Sequence, residues 1–171
     1  MFLIKAVVIL ILVAMGLQDF KFRAISWYLF PALALGLLLL NPAFSLYSCF
    51  VNFGFVALVF VLLTGWFSLK SGSLVNLTQR HLGVGDVLFL LCLAFFFSPL
   101  NFFLFYLLSL LSISIGTGLY LLAFKPKDFT IPLAGLQGLA LLAVLLISWL
   151  LNLDLNDNTL LPDLIMSYER S

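Results

Sequence analysis

Six long apolar runs, each closed by a short polar break, constrain this chain more than any other feature. They extend from Phe2 to about Gln18, from about Ile25 to Leu40, from Phe50 to Leu69, from about Asp86 to Phe97, from about Phe102 to Phe124, and from Ile131 to about Leu151. A helix that crosses bilayer hydrocarbon needs about 20 apolar residues, fewer if its ends rest in the interface. Inside lipid the backbone must satisfy its own polar groups, so runs of this kind are expected to be helices. The breaks carry turn chemistry at Asn41-Pro42, Ser71-Gly72-Ser73, Ser98-Pro99 and Lys125-Pro126. Pro31 falls inside the second run, where a kink is expected. The predicted fold is therefore an all-α integral membrane protein, a bundle of about six transmembrane helices forming one domain over residues 1–171.

Composition excludes several alternatives. Hydrophobic residues make up 64% of the chain and charged residues 9%, with a mean hydropathy of +1.25. Water-soluble domains carry roughly a quarter charged residues, so this balance suits a lipid bilayer as partner. A formal net charge of +1 gives no basic face for phosphates, which argues against nucleic acid. Cys49 and Cys92 form no CxxC pair and have no histidine beside them, so buried, inert thiols are expected.

Basic residues set the expected orientation. Lys21 and Arg23 fall in the first loop, Lys70 and Arg80 in the third, and Lys125 and Lys127 in the fifth, whereas the second and fourth loops carry no charge. By the positive-inside rule the odd-numbered loops are cytoplasmic and both termini are outside. The acidic tail (Asp154, Asp157, Asp163) agrees, and Lys5 can snorkel back to the interface. The first run could instead be a cleaved signal peptide, with Ala14-Met15-Gly16 as the cleavage site. That would leave an odd number of spans and cut just before Asp19.

Before the tail there are three acids. Asp128, between Lys127 and Phe129, is expected to be a solvated loop charge. Asp19 ends the first run and Asp86 begins the fourth, and an ionisable group at the edge of a span is costly to bury and commonly functional. With the expected topology, both carboxylates arrive at the cytoplasmic end of their helices and at the same depth. Facing each other, they would share one proton, because two close carboxylates cannot both ionise. Such a pair activates water and polarises a peptide carbonyl without metal, cofactor or nucleophilic side chain. Gly83-Val84-Gly85-Asp86 adds two glycines, which permit positive φ and close approach of a substrate strand.

These residues resemble a known family. Gly83-Val84-Gly85-Asp86-Val87, together with Asp19 and Ile25 six residues apart, is similar to the type IV prepilin and preflagellin peptidases. In those GxGD membrane aspartic peptidases one acid opens a D-x(5)-I-P-N stretch and the other closes GxGD. Ile131-Pro132-Leu133-Ala134-Gly135 resembles the family's I-P-F-G-P segment. The resemblance implies Asp19 and Asp86 as the catalytic pair, with Ile25, Gly83 and Gly85 positioning substrate. It also implies a prepilin-like or pseudopilin-like protein substrate, no metal or other cofactor, and a multi-pass enzyme of the inner (cytoplasmic) membrane. Its active site would face the cytoplasm. The chain lacks the cysteine-rich insert of larger members and is similar to the compact, peptidase-only form. It departs from the pattern at Ser26-Trp27, where the family has Pro-Asn, and at Leu88, where a lysine is frequent. A catalytically degenerate relative is thus one alternative, and a non-enzymatic transporter or assembly protein is another.

The remaining signals have plainer readings. His81 lies beside Arg80 and lacks a set of partners for a metal, so a loop histidine is expected. Asn76-Leu77-Thr78 matches a glycosylation sequon on the expected cytoplasmic side. Ser112 with Gly116, and Ser114 with Gly118, are small residues four apart that suit helix packing. Trp27 and Tyr28 fit an interfacial aromatic belt. The stretch from Lys70 to Leu82 reads as a linker, with a mobile gate over the acids as the alternative.

Overall fold

The computed structural model describes residues 1–71, 83–124, 131–151 and 155. His81, Arg80, the sequon, Lys125, Lys127, Asp128 and most of the stretch from Lys70 to Leu82 lie outside the described residues, as do Asp154, Asp157 and Asp163. Within them the chain is all-helical, with six helices: α1 (Phe2–Phe22), α2 (Leu29–Leu40), α3 (Leu46–Ser71), α4 (Val84–Leu93), α5 (Pro99–Phe124) and α6 (Leu133–Leu151). Four of them, α1, α3, α5 and α6, are long and apolar enough to cross a membrane. At 1.5 Å per residue, α2 and α4 are only about 18 Å and 15 Å long.

Local chemistry explains where these helices begin. Pro31 does not kink a longer helix. It lies in the first turn of α2, where a missing N–H removes no intrahelical bond. Ser98 and Pro99 start α5 in the same way, with the Phe102 N–H donating to the Ser98 carbonyl at 2.8 Å. α1 runs past its apolar stretch and ends at Arg23, a left-handed residue (φ 54°) whose N–H donates to the Asp19 carbonyl at 3.0 Å.

The fourth helix stops earlier than its apolar run. That run was expected to continue to Phe97, but the helix ends at Leu93 and leaves carbonyls without helical partners. Two asparagine side chains receive them. Asn41 Nδ2 donates to the carbonyls of Phe95 and Phe96, both at 3.1 Å. Asn52 Nδ2 donates to those of Ala94 (3.3 Å) and Phe97 (2.9 Å). In an apolar surrounding such carbonyls would otherwise stay unpaired at a cost of several kcal/mol each.

α1 packs on α6 and α2, α4 packs on α2, α6 and α3, and α5 leans on α6 and α3. Val8, Leu12, Met15, Leu33, Leu37, Phe89, Leu93, Leu141 and Leu145 are fully buried between them. Phe55 of α3 meets Phe102, Phe103 and Tyr106 of α5 edge to face. Leu10, Phe50, Leu62, Leu119 and Leu150 point outward and are more than half exposed, as a lipid-facing surface requires. Cys49 and Cys92 are buried and unlinked, and the Cys92 thiol donates to the Phe30 carbonyl.

Candidate active site

Residues from five helices line an open cavity of about 980 Å³. Asp19 enters it from the last turn of α1, and Arg23, Ala24, Ile25 and Trp27 from the connection that follows. Phe30 comes from α2, and Gly83 through Asp86 with Leu88 from the start of α4. Leu110, Ile113, Ser114 and Thr117 form one face of α5, and Leu133 and Ala134 open α6. Every residue singled out from the sequence for the site, Asp19, Ile25, Gly83, Gly85 and Asp86, thus lines the same cavity. Leu88, one of the departures from the family pattern, forms part of its wall.

Each acid is held by backbone N–H groups. Asp19 is buried, with 9% of its surface exposed, and its Oδ2 accepts a hydrogen bond of 2.7 Å from the Gly135 N–H. Asp86 is half-buried in the first turn of α4, and its Oδ2 accepts from the Gly83 N–H at 3.1 Å. The Asp86 N–H in turn donates to the Gly83 carbonyl at 3.0 Å. The bond from the Gly83 N–H to the Asp86 side chain is the half of a capping box that a glycine N-cap can host. The Ala134 N–H lies within reach of the Asp86 carboxylate, and the two acids are near enough for their charges to interact.

The glycines act through space rather than through unusual dihedrals. Gly83 is extended (φ −66°, ψ 139°), so the positive φ that the sequence allowed is not used there. A Cβ on Gly83 would sit 3.1 Å from Asp86 Oδ2, so glycine leaves room for the carboxylate to turn back onto its own helix. A Cβ on Gly85 would touch Phe30 at 3.6 Å and Ile25 at 4.0 Å, an ordinary contact. Ile25 therefore packs beside the GxGD turn. Ser26, where the family has proline, has an N–H that proline lacks, and this N–H donates to Gln18 Oε1 at 2.9 Å. The connection after Asp19 is pinned by that bond.

Three residues at the site were not singled out from the sequence as site residues. Ala134 and Gly135 belong to the segment that resembles I-P-F-G-P; the Gly135 amide donates to Asp19, and Ala134 lines the cavity on the side of Asp86. Arg23 had been counted as a loop charge, and it lines the cavity beside Asp19. A proline followed by small residues at a helix start was the available signal, because it marks free N–H groups.

Chemically, the cavity offers two carboxylates of different exposure, backbone donors, and a wall of Leu, Ile, Phe and Trp for an apolar chain. Comparison with known proteins returned no matching family, no matching curated protein and no matching solved structure.

Proposed function

We propose that this protein is an aspartic endopeptidase of the GxGD type that removes a short leader from prepilin-like membrane substrates. The observation that carries this reading is the arrival of Asp19 and Asp86, from different helices, on one cavity, where adjacent amides of α6 reach them. The pair holds one proton. The ionised carboxylate takes a proton from a water molecule, whose oxygen attacks the scissile carbonyl carbon. The protonated carboxyl donates a hydrogen bond to the carbonyl oxygen as charge develops there. Collapse of the tetrahedral intermediate breaks the C–N bond, and the leaving amine takes up a proton. Ile25, Gly83 and Gly85 shape the floor on which the substrate backbone lies, and the aliphatic α5 face receives its apolar side chains.

In this reading α2 and α4 also cross the hydrocarbon region, giving six spans with both termini outside and the acids at the cytoplasmic face of the inner membrane. The uncharged C-terminal ends of α2 and α4, with the asparagine-held carbonyls that follow α4, support it. Single cysteines placed beside Lys21 and at Arg80 should be labelled from the same, cytoplasmic, side. Labelling from opposite sides would end the dyad reading.

The decisive test uses the purified protein and a precursor with a short basic leader ahead of an apolar helix of about 20 residues. Asp19→Asn and Asp86→Asn should each abolish cleavage while folding normally, and chelators should leave the unmodified protein active. Full activity in either variant, or a strict metal requirement, would reject the assignment.

A further inference from the structure

Pro132, just before α6, has no N–H, so three backbone N–H groups at the start of the helix, those of Leu133, Ala134 and Gly135, have no partner in the usual helical way. The Leu133 N–H donates to the Ile131 carbonyl at 3.0 Å, and the regular helical ladder begins with the Leu136 N–H on the Pro132 carbonyl at 3.0 Å. The two between them turn outward. Gly135 donates to Asp19 at 2.7 Å, and Ala134 faces Asp86. Consecutive amides thus serve carboxylates that are 67 positions apart in the chain (86 − 19).

Space at Gly135 is equally specific. A Cβ there would lie 2.9 Å from Asp19 Cβ, 3.0 Å from Asp19 Oδ2 and 3.4 Å from Asp19 Cγ. The first distance involves a carbon fixed to the α1 backbone, so a rotamer change cannot relieve it. One turn further on, a Cβ at Gly138 would meet only Phe89 Cε2 at 3.9 Å, an ordinary contact. Close approach is therefore demanded at the acid and not along the whole helix.

We propose that the first turn of α6 is the positioning element of the acid pair: the Ala134 and Gly135 amides set the separation and orientation of the two carboxylates, and Gly135 must be glycine to let Asp19 reach its amide. Hydrogen bonds from N–H groups to a carboxylate are short and stronger than neutral ones, and a helix N-terminus favours negative charge. Adjacent amides point in fixed directions about the helix axis, so two acids bound to them inherit a fixed geometry. The two amides act through the acids, as positioning groups. The proposal rests on the peptidase reading for its catalytic consequence, but not for its structural one.

Two measurements test it. In the protein carrying ¹⁵N-labelled glycine and alanine in micelles, the Gly135 amide proton should resonate far downfield and move when Asp19→Asn is introduced. It should hold its position in Asp86→Asn, whereas the Ala134 amide should respond to Asp86→Asn. In cleavage of the leader-bearing precursor, Gly135→Ala should lower kcat by about 10- to 100-fold with KM within about twofold, as expected for a misplacement near 1 Å. Gly138→Ala should match the unmodified protein. Amides that do not respond to their acids, or a Gly135→Ala protein with full kcat, would overturn the proposal. If Gly135→Ala does not fold, the amide shifts decide it alone. If the unmodified protein cleaves no precursor, the peptidase reading fails while the amide shifts still judge the positioning element.

Discussion

Gly36→Ala tests whether α1 and α2 pack as closely as the structure requires. A Cβ at Gly36 would lie 2.7 Å from Val8 Cγ2, against about 3.5–4.0 Å for an ordinary carbon–carbon contact. Val8 is fully buried, and valine in a helix keeps essentially one side-chain rotamer, so its methyl has nowhere to turn. The helices must then part by several tenths of an ångström, and overpacking of this kind costs about 1–3 kcal/mol. Replacing a mid-helix glycine by alanine returns roughly 0.5–1 kcal/mol of backbone entropy. The expected net loss is centred on about 1 kcal/mol. Val8→Ala alone should also destabilise, by about 1–3 kcal/mol, because it leaves a cavity. In the double variant the new methyl occupies the space of the old ones, so the two losses should fall short of additivity by about 1 kcal/mol or more. Reversible unfolding in mixed micelles measures all four corners of the cycle. A Gly36→Ala protein as stable as its parent, or strict additivity with Val8→Ala, would refute the close approach. Catalysis by folded Gly36→Ala should suffer far less than in Gly135→Ala, since Val8 lies three turns from Asp19.

Two further variants address buried polar groups. Asn52→Leu removes both hydrogen bonds to the Ala94 and Phe97 carbonyls and should cost about 1–3 kcal/mol of unfolding free energy, a loss below 0.5 kcal/mol meaning that those carbonyls need no donor. Gln137 is 1% exposed, and neither its amide nitrogen nor its amide oxygen has a partner among the described residues. Gln137→Met should therefore leave the melting temperature unchanged or raise it, the equivalent of about 0–2 kcal/mol. A fall of several degrees would show that the amide is engaged.

Much of this protein was legible in residue order alone. Apolar run length is a local property, so the six helices found among the described residues, the breaks at Asn41-Pro42 and Ser98-Pro99, and the all-helical class of those residues follow from the sequence without reference to packing. The placement of two acids at the edges of their runs was equally plain, because a charge interrupts an apolar stretch wherever the stretch folds. Helix ends were less legible. Pro31 reads as a kink until the chain before it is seen to be non-helical, and nothing within Val87–Phe97 announces a stop at Leu93. That stop depends on Asn41 and Asn52, which are 54 and 42 positions from the carbonyls they hold.

Facing was decided only by the tertiary structure. In these helices hydrophobic residues cover every side, so no periodicity distinguishes a lipid-facing leucine such as Leu10 from a fully buried one such as Leu12. Residue order placed Asp19 near a helix end but could not tell that it turns inward to Gly135, 116 positions away. A contact across that span depends on how whole helices pack, and on one missing Cβ that allows two backbones to approach. The chain's own chemistry determined that it forms apolar helices with acids at their ends. The packing of α1, α4 and α6 decided that those acids share a cavity.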